Sequence, residues 1–166
     1  SKGRQVIAVD LQAHGRTADI DRPMTYEAMG DDLAGLIGAL DLGRADVLGY
    51  SLGGGAAFQL AARHPALVRR LVLVSAPCTG DSWFPEVRAG MRAMSAEVAE
   101  TMKQAPIYAA YAKVAPRVED WPRLVTRTGA LVSSDYDWRD QVAAITADVL
   151  LAYADADSIS PARIVE

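Results

Sequence analysis

Between residues 5 and 77 the hydrophobic positions of this chain switch repeatedly between short continuous runs and helical spacing. The runs QVIAVD at 5–10, ADVLG at 45–49 and VRRLVLVS at 68–75 are short and rich in β-branched side chains, and they read as buried strands of a parallel sheet. Thr25 stands where it would cap a helix whose Met29, Leu33, Leu36, Ile37 and Leu40 share one face, with Gly43 ending it. The stretch LGGGAAFQLAAR at 52–63 predicts a second helix that stops before Pro65. Such alternation predicts an α/β fold, a mostly parallel sheet with helices on both faces.

From 79 to about 140 the strand rhythm disappears. Pro85 opens a helix bearing Val87, Met91 and Met94, Ser95 caps a second with Val98 and Met102, and Ile107, Tyr111 and Val114 mark a third. Asp120 is placed to cap a fourth, which presents Trp121, Leu124, Val125, Thr128, Leu131 and Val132. An apolar run returns at 148–154 and leads into the polar turn Asp155-Ala156-Asp157-Ser158. The expected organisation is therefore a core segment at 1–78, a helical cap inserted at 79–140, and a second core segment at 141–166. Aromatic residues beneath such a cap, Trp83, Phe84, Tyr108 and Tyr111 together with Tyr50, are candidates for lining a pocket, although large apolar residues at helical spacing also serve as plain core.

The chemistry concentrates where the second strand meets its helix, at Gly49-Tyr50-Ser51-Leu52-Gly53. A strand that turns this sharply into a helix brings the two backbones close together, so Gly49 and Gly53 are expected to be small for that reason. Ser51 at the corner would be pushed out above the C-terminal edge of the sheet, and the N–H of Leu52 would face an oxyanion forming beside it. The alternative is a glycine-rich turn that only packs tightly or holds a phosphate.

Composition narrows the partners. The chain has 166 residues, 51% hydrophobic and 23% charged, with a net charge of −4 and no long basic tract, which speaks against nucleic acid or an anionic membrane. Cys78 is the only cysteine, so no internal disulfide forms, no zinc-type spacing exists, and no metal or cofactor is implied. A reducing, cytoplasmic setting is the expectation.

Together these stretches resemble the α/β-hydrolase fold family. Asp10-Leu11-Gln12-Ala13-His14-Gly15-Arg16-Thr17 is similar to its Asp-x-x-Gly-x-Gly-x-Ser loop, with Ala13 and Thr17 as departures. Residues 49–53 match its nucleophile elbow, His64-Pro65 leading into 72–75 resembles a helix end and sixth strand, and Asp155-Ala156-Asp157 resembles the turn after the seventh. The likeness is greatest to bacterial capped serine hydrolases of the esterase, enol-lactonase and haloperoxidase-like kind, and Ser51 in place of aspartate speaks against dehalogenases and epoxide hydrolases. It implies a small acyl substrate, Ser51 as nucleophile and Asp157 as the carboxylate that orients a histidine base, with Asp155 and Asp81 as alternatives for the acid.

The family places that histidine after the acid, whereas this chain has only His14 and His64, both before it. His64 belongs at the far end of the helix that starts at the elbow, roughly 18 Å away at 1.5 Å per residue. His14 sits in a loop whose histidine is structural in the family. The chain therefore reads as an internal piece of a longer hydrolase of small esters or lactones, itself inactive. The alternative is a non-catalytic binding protein on the same scaffold. The family's strand order also implies a missing strand between 5–10 and 45–49, leaving a slot that is either empty or closed by direct pairing.

Overall fold

A computed structural model describes residues 3–160. Three parallel strands, β1 (Ala45–Tyr50), β2 (Val68–Val74) and β3 (Asp148–Ala152), form the sheet in that spatial order. Tyr50, Val74 and Ala152 lie abreast, so all three strands finish at one edge. Helix α1 (Tyr26–Ala39) begins as its sequence implies, with the Thr25 hydroxyl accepting from the Ala28 N–H at 3.1 Å. It ends sooner than Gly43, because Asp41 already turns the chain at φ +50, and Leu40 is left exposed. Helix α2 (Leu52–Arg63) lies on β1 and β2, and α1 lies on α2.

The expected helices on both faces are met on one face among the described residues. Val68, Leu71 and Leu73 point into the α2 side and are buried, whereas Leu48 and Leu150 on the opposite face are 69% and 61% exposed. Residues 5–10 are a correction to the strand reading. They carry no β pairing, and Val6 is 78% exposed. β-branched composition favours extended backbone, but a strand exists only where neighbours take up its N–H and C=O groups. Of the two outcomes for the slot beside β1, the unpaired one is realised, and β1 is an edge strand.

Between β2 and β3 the chain builds four helices, α3 (Pro85–Arg92), α4 (Ala96–Met102), α5 (Pro106–Ala112) and α6 (Trp121–Val132). Pro85 is at the first turn of α3, and the Ser95 hydroxyl caps α4 by accepting from the Val98 N–H at 3.3 Å. Asp120 does not cap α6. It ends a 3₁₀ turn, Val118–Asp120, in helical rather than extended backbone (φ −75, ψ −3), and its carboxylate accepts from Arg117 instead, at 2.6 Å. Helix α6 is the hub of this group. The Trp121 indole donates to the Ala99 carbonyl at 2.8 Å, and Gly129 permits a close approach, since a Cβ there would sit 2.5 Å from the Met94 Cβ.

Two sets of bonds fasten this helical segment to the rest. At its base, Gly80 N–H donates to the Tyr136 carbonyl (2.8 Å) and Trp138 N–H to the Cys78 carbonyl (2.9 Å). On its flank, Asp19 is buried with its side chain 2% exposed, between Arg127 Nη1 at 2.5 Å, Arg123 Nε at 2.8 Å and the Gln12 amide at 2.9 Å. Burial pushes this carboxyl up. The hydrogen bonds from Gln12 and Arg127 and the charges of both arginines outweigh that and hold it below the usual carboxylate value.

Asp19→Ala should destabilise the protein by about 2–4 kcal/mol, because Arg127 and Gln12 lose a buried partner. Chemical denaturation with a paired Asp19→Asn variant checks the size and separates charge from shape. A carboxyl held low when folded contributes stability above its unfolded value, about pH 3.9, and loses it as pH falls further. The wild-type advantage over Asp19→Asn should accordingly shrink below pH 4.

The unpaired β1 edge and the open face beside Leu48 and Leu150 predict self-association of the 166-residue chain in isolation. Light scattering should show aggregates at micromolar concentration, and Leu48→Lys with Leu150→Lys should reduce them.

Candidate active site

The geometry at the end of β1 follows from how little room lies between strand and helix. A Cβ on Gly49 would run into the Gly53 carbonyl and stand 2.6 Å from the Gly54 Cα. A Cβ on Gly54 would land on the Ala76 Cβ. Gly53 is different: nothing lies within 4 Å of where its Cβ would be. The close approach therefore rests on Gly49 and Gly54, which corrects the role expected for Gly53. Within this turn Ser51 takes φ +51 and ψ −120, a conformation L-residues rarely adopt.

Backbone bonds hold that corner in place. Ser51 N–H donates to the Val74 carbonyl at 2.9 Å, and the Ser51 carbonyl accepts from Gly54 and Gly55 at 2.8 and 3.2 Å. The hydroxyl makes no capping bond to α2. Leu52 opens the helix, so its N–H is one of the donors that an α-helix leaves without an intrahelical acceptor. Tyr50, the last residue of β1, is exposed.

Asp157 comes to the same edge from the loop after β3, with β2 between it and Ser51. Its Oδ2 accepts from the Ser75 hydroxyl at 2.6 Å and its Oδ1 from the Ser158 N–H at 2.7 Å. The loop is fixed by the start of the helical segment: Phe84 N–H donates to the Ser158 carbonyl (3.1 Å) and Ser160 N–H to the Ser82 carbonyl (2.8 Å). Of the alternative acids, Asp155 is exposed in the turn, and Asp81 pairs with Arg88 at 3.1 Å.

Neither histidine joins the site. His14 Nδ1 lies 2.8 Å from the Gln12 carbonyl, to which it donates when it carries the proton there. His64 follows the last residue of α2, and its Nε2 is 2.7 Å from Asp31. Among the described residues no group of three or more His, Cys, Asp or Glu side chains converges as a metal site would. No described helix is long and apolar enough to cross a membrane.

The aromatic residues anticipated around a pocket are distributed otherwise. Tyr108 and Tyr111 pack on Trp121 inside the helical segment, Phe84 is half-buried, and the Trp83 indole donates to the Tyr136 hydroxyl at 3.0 Å. A cleft of about 340 Å³ is lined instead by Met24, Tyr26, Leu131, Tyr136 and Trp138 among others. Tyr26 and Trp138 reach the first turn of α2 because Gly55 has no side chain, and a Cβ there would run into the Tyr26 ring and stand 3.2 Å from the Trp138 ring. Burial pushes the Tyr136 hydroxyl up to about 12, so it stays neutral while it accepts from the Trp83 indole. Sequence reading passed over Tyr26, Tyr136 and Trp138, which stand far apart along the chain; the pair Tyr136 and Trp138, two aromatics just ahead of the final strand, was the one local signal.

A serine on a left-handed corner between a parallel strand and a small-residue helix invites comparison with known proteins. The family model for the alpha/beta hydrolase fold matches residues 1–123. The chain belongs to the α/β-hydrolase fold family. It is 47% identical over 83 residues to a pimeloyl-[acyl-carrier protein] methyl ester esterase of Neisseria meningitidis, covering 49% of this chain and 30% of that protein. It is 29% identical to the AB hydrolase superfamily protein YisY of Bacillus subtilis, over 96% of this chain and 66% of that protein. Among solved structures, a thermophilic esterase from Thermogutta terrifontis superposes with a TM-score of 0.60 at 25% identity, over 91% of this chain and 61% of the esterase. The chain thus spans less than two thirds of the length of each of these α/β hydrolases.

The steric argument separates the three elbow glycines. Gly49→Ala and Gly54→Ala should each cost about 1–3 kcal/mol or more, since backbone or a packed methyl must move. Gly53→Ala, with open space and a helical position, should be neutral or stabilising by up to about 1 kcal/mol. Thermal melts of the three variants decide it, and a Gly53→Ala as damaging as Gly49→Ala would refute the assignment.

Proposed function

We propose that this chain carries the nucleophile and the acid of a serine hydrolase that cleaves a small ester or lactone through an acyl-enzyme. The observation that carries the proposal is the left-handed Ser51 at the strand-to-helix corner, strain that a merely structural turn would relieve with glycine. Ser51 attacks the acyl carbon, the Leu52 N–H stabilises the oxyanion, and Asp157 orients the base. That base is a histidine other than His64, which pairs with Asp31, and His14, whose Nδ1 is at the Gln12 carbonyl and not at Asp157. The helices between β2 and β3 act as a cap over the edge where Ser51 and Asp157 meet, dividing core segments 1–78 and 141–166 from a cap at 79–140. The names of the Neisseria and Thermogutta esterases agree with ester chemistry and support this reading.

One observation favours a second reading, a non-catalytic binding protein on the same scaffold: neither histidine of the chain approaches Ser51. The two readings differ in what Ser51 does. In the full-length protein, a fluorophosphonate probe should label Ser51, and Ser51→Ala should remove both labelling and hydrolysis of nitrophenyl butyrate. Asp157→Asn should lower turnover at least a hundredfold with folding intact, and the 166-residue chain alone should be inactive. A full-length protein that neither labels nor turns over would refute the hydrolase reading.

A further inference from the structure

Ser51 is not the only strained serine on this edge. Ser75, one residue beyond β2, has φ +50, and Ser51, one residue beyond β1, has φ +51. The strand register sets them side by side, because Tyr50 pairs with Val74. Each is held by the neighbouring strand in the same way: Ser51 N–H donates to Val74, and Ser75 N–H donates to Ala152 at 3.0 Å. Ser75 thus stands in the row between the nucleophile and the loop that carries the acid, and its hydroxyl is already committed to Asp157 Oδ2 at 2.6 Å.

We propose that Ser75 is a positioning residue for Asp157, holding its carboxylate in the orientation that the histidine base requires. This rests on the reading of Asp157 as the acid. An aspartate on a surface turn has two free side-chain torsions. The Ser158 N–H fixes Oδ1 from the residue next to it, and the Ala154 N–H, three residues back, reaches Oδ2 only at 3.4 Å, so contacts within the turn hold the carboxylate loosely. The Ser75 hydroxyl fixes Oδ2 from an adjacent strand, and two anchors on different oxygens define the plane of the group. The left-handed backbone at Ser75 aims the hydroxyl along the edge toward Asp157 instead of up or down from the sheet, which gives a reason for a non-glycine residue to accept that strain. A carboxylate held this way presents its remaining lone pairs in one direction, as an orienting acid must.

The test is a double-mutant cycle in the full-length protein, with kcat and KM for nitrophenyl butyrate measured for wild type, Ser75→Ala, Asp157→Asn and the double variant. Ser75→Ala should lower kcat about tenfold, within the range for losing a hydrogen bond to a charged group, and leave KM within about twofold. It should have no further effect on the Asp157→Asn background. Ser75→Gly, which relaxes the backbone and also lacks the hydroxyl, should reproduce the loss of Ser75→Ala and keeps the test open if the alanine variant misfolds. Wild-type kcat in either Ser75 variant would overturn the proposal, as would an equal loss with and without the Asp157 carboxylate. A fully active Asp157→Asn would instead remove the acid assignment itself, and the two failures are therefore distinguishable.

Discussion

The fold turns on how closely the end of β1 passes the start of α2. At Gly49 the strand backbone is in van der Waals contact with the helix backbone, and no side chain fits between them. With strand and helix that close, the residue joining them has to reverse direction within one peptide unit, and it does so by taking positive φ. The position of Ser51 at the sheet edge is thus a consequence of packing in the layer beneath it. The same small-residue face continues along α2: Gly54 meets Ala76, and Gly55 lets Tyr26 and Trp138 lie against the helix. Removing bulk from two successive residues of α2, with Gly49 facing them from β1, brings the sheet, α1 and the segment before β3 onto one short helix.

Asp157 is placed by a different and longer chain of dependencies. Asp157 lies in a loop, and loops at a sheet edge are mobile unless their backbone groups are bonded elsewhere. Here the loop pairs with residues 82–84, at the start of the helical segment, which is itself closed at its base by the bonds between 78–80 and 136–138. Asp19 locks the outer side by drawing α6 to the loop before α1. A disturbance in the helical segment is therefore transmitted to Asp157 before it reaches Ser51, whose corner is held by β2 and by its own helix.

That difference explains what was legible in the amino-acid sequence. The elbow is mostly local, its turn made by residues 49–55 with Val74 and Ala76 alongside, so strand, corner and helix could be read to within one residue. Asp157 was legible as a residue because a polar turn followed an apolar run, while its partner Ser75, distant along the chain, was not. Asp19 escaped notice for the same reason, since Arg127 is more than a hundred positions away. The strand expected at 5–10 failed because composition reports a preference for extended backbone, whereas pairing depends on what lies alongside. Gly53 was credited with the close approach because it occupies the motif position; the coordinates give that role to Gly54, one residue on, where the helix surface turns toward Ala76. Tyr108 and Tyr111 were candidates for pocket walls because a cap over a reactive serine would bury an apolar face; their rings pack on Trp121, within the helical segment.

Two adjacent strands that end in left-handed serines call for a common cause. A positive φ at a non-glycine residue costs on the order of 1–2 kcal/mol, and a turn under no other constraint would drift toward glycine or asparagine. At both Ser51 and Ser75 the backbone N–H is directed sideways to the next strand's carbonyl, which extends the ladder one residue past the last strand position and compensates part of the strain. The geometry that completes each ladder also turns the side chain along the edge. For Ser51 this leaves the hydroxyl clear of α2, and for Ser75 it delivers the hydroxyl to Asp157. Sheet hydrogen bonding and the arrangement of the reactive groups are in this way set by the same two torsions.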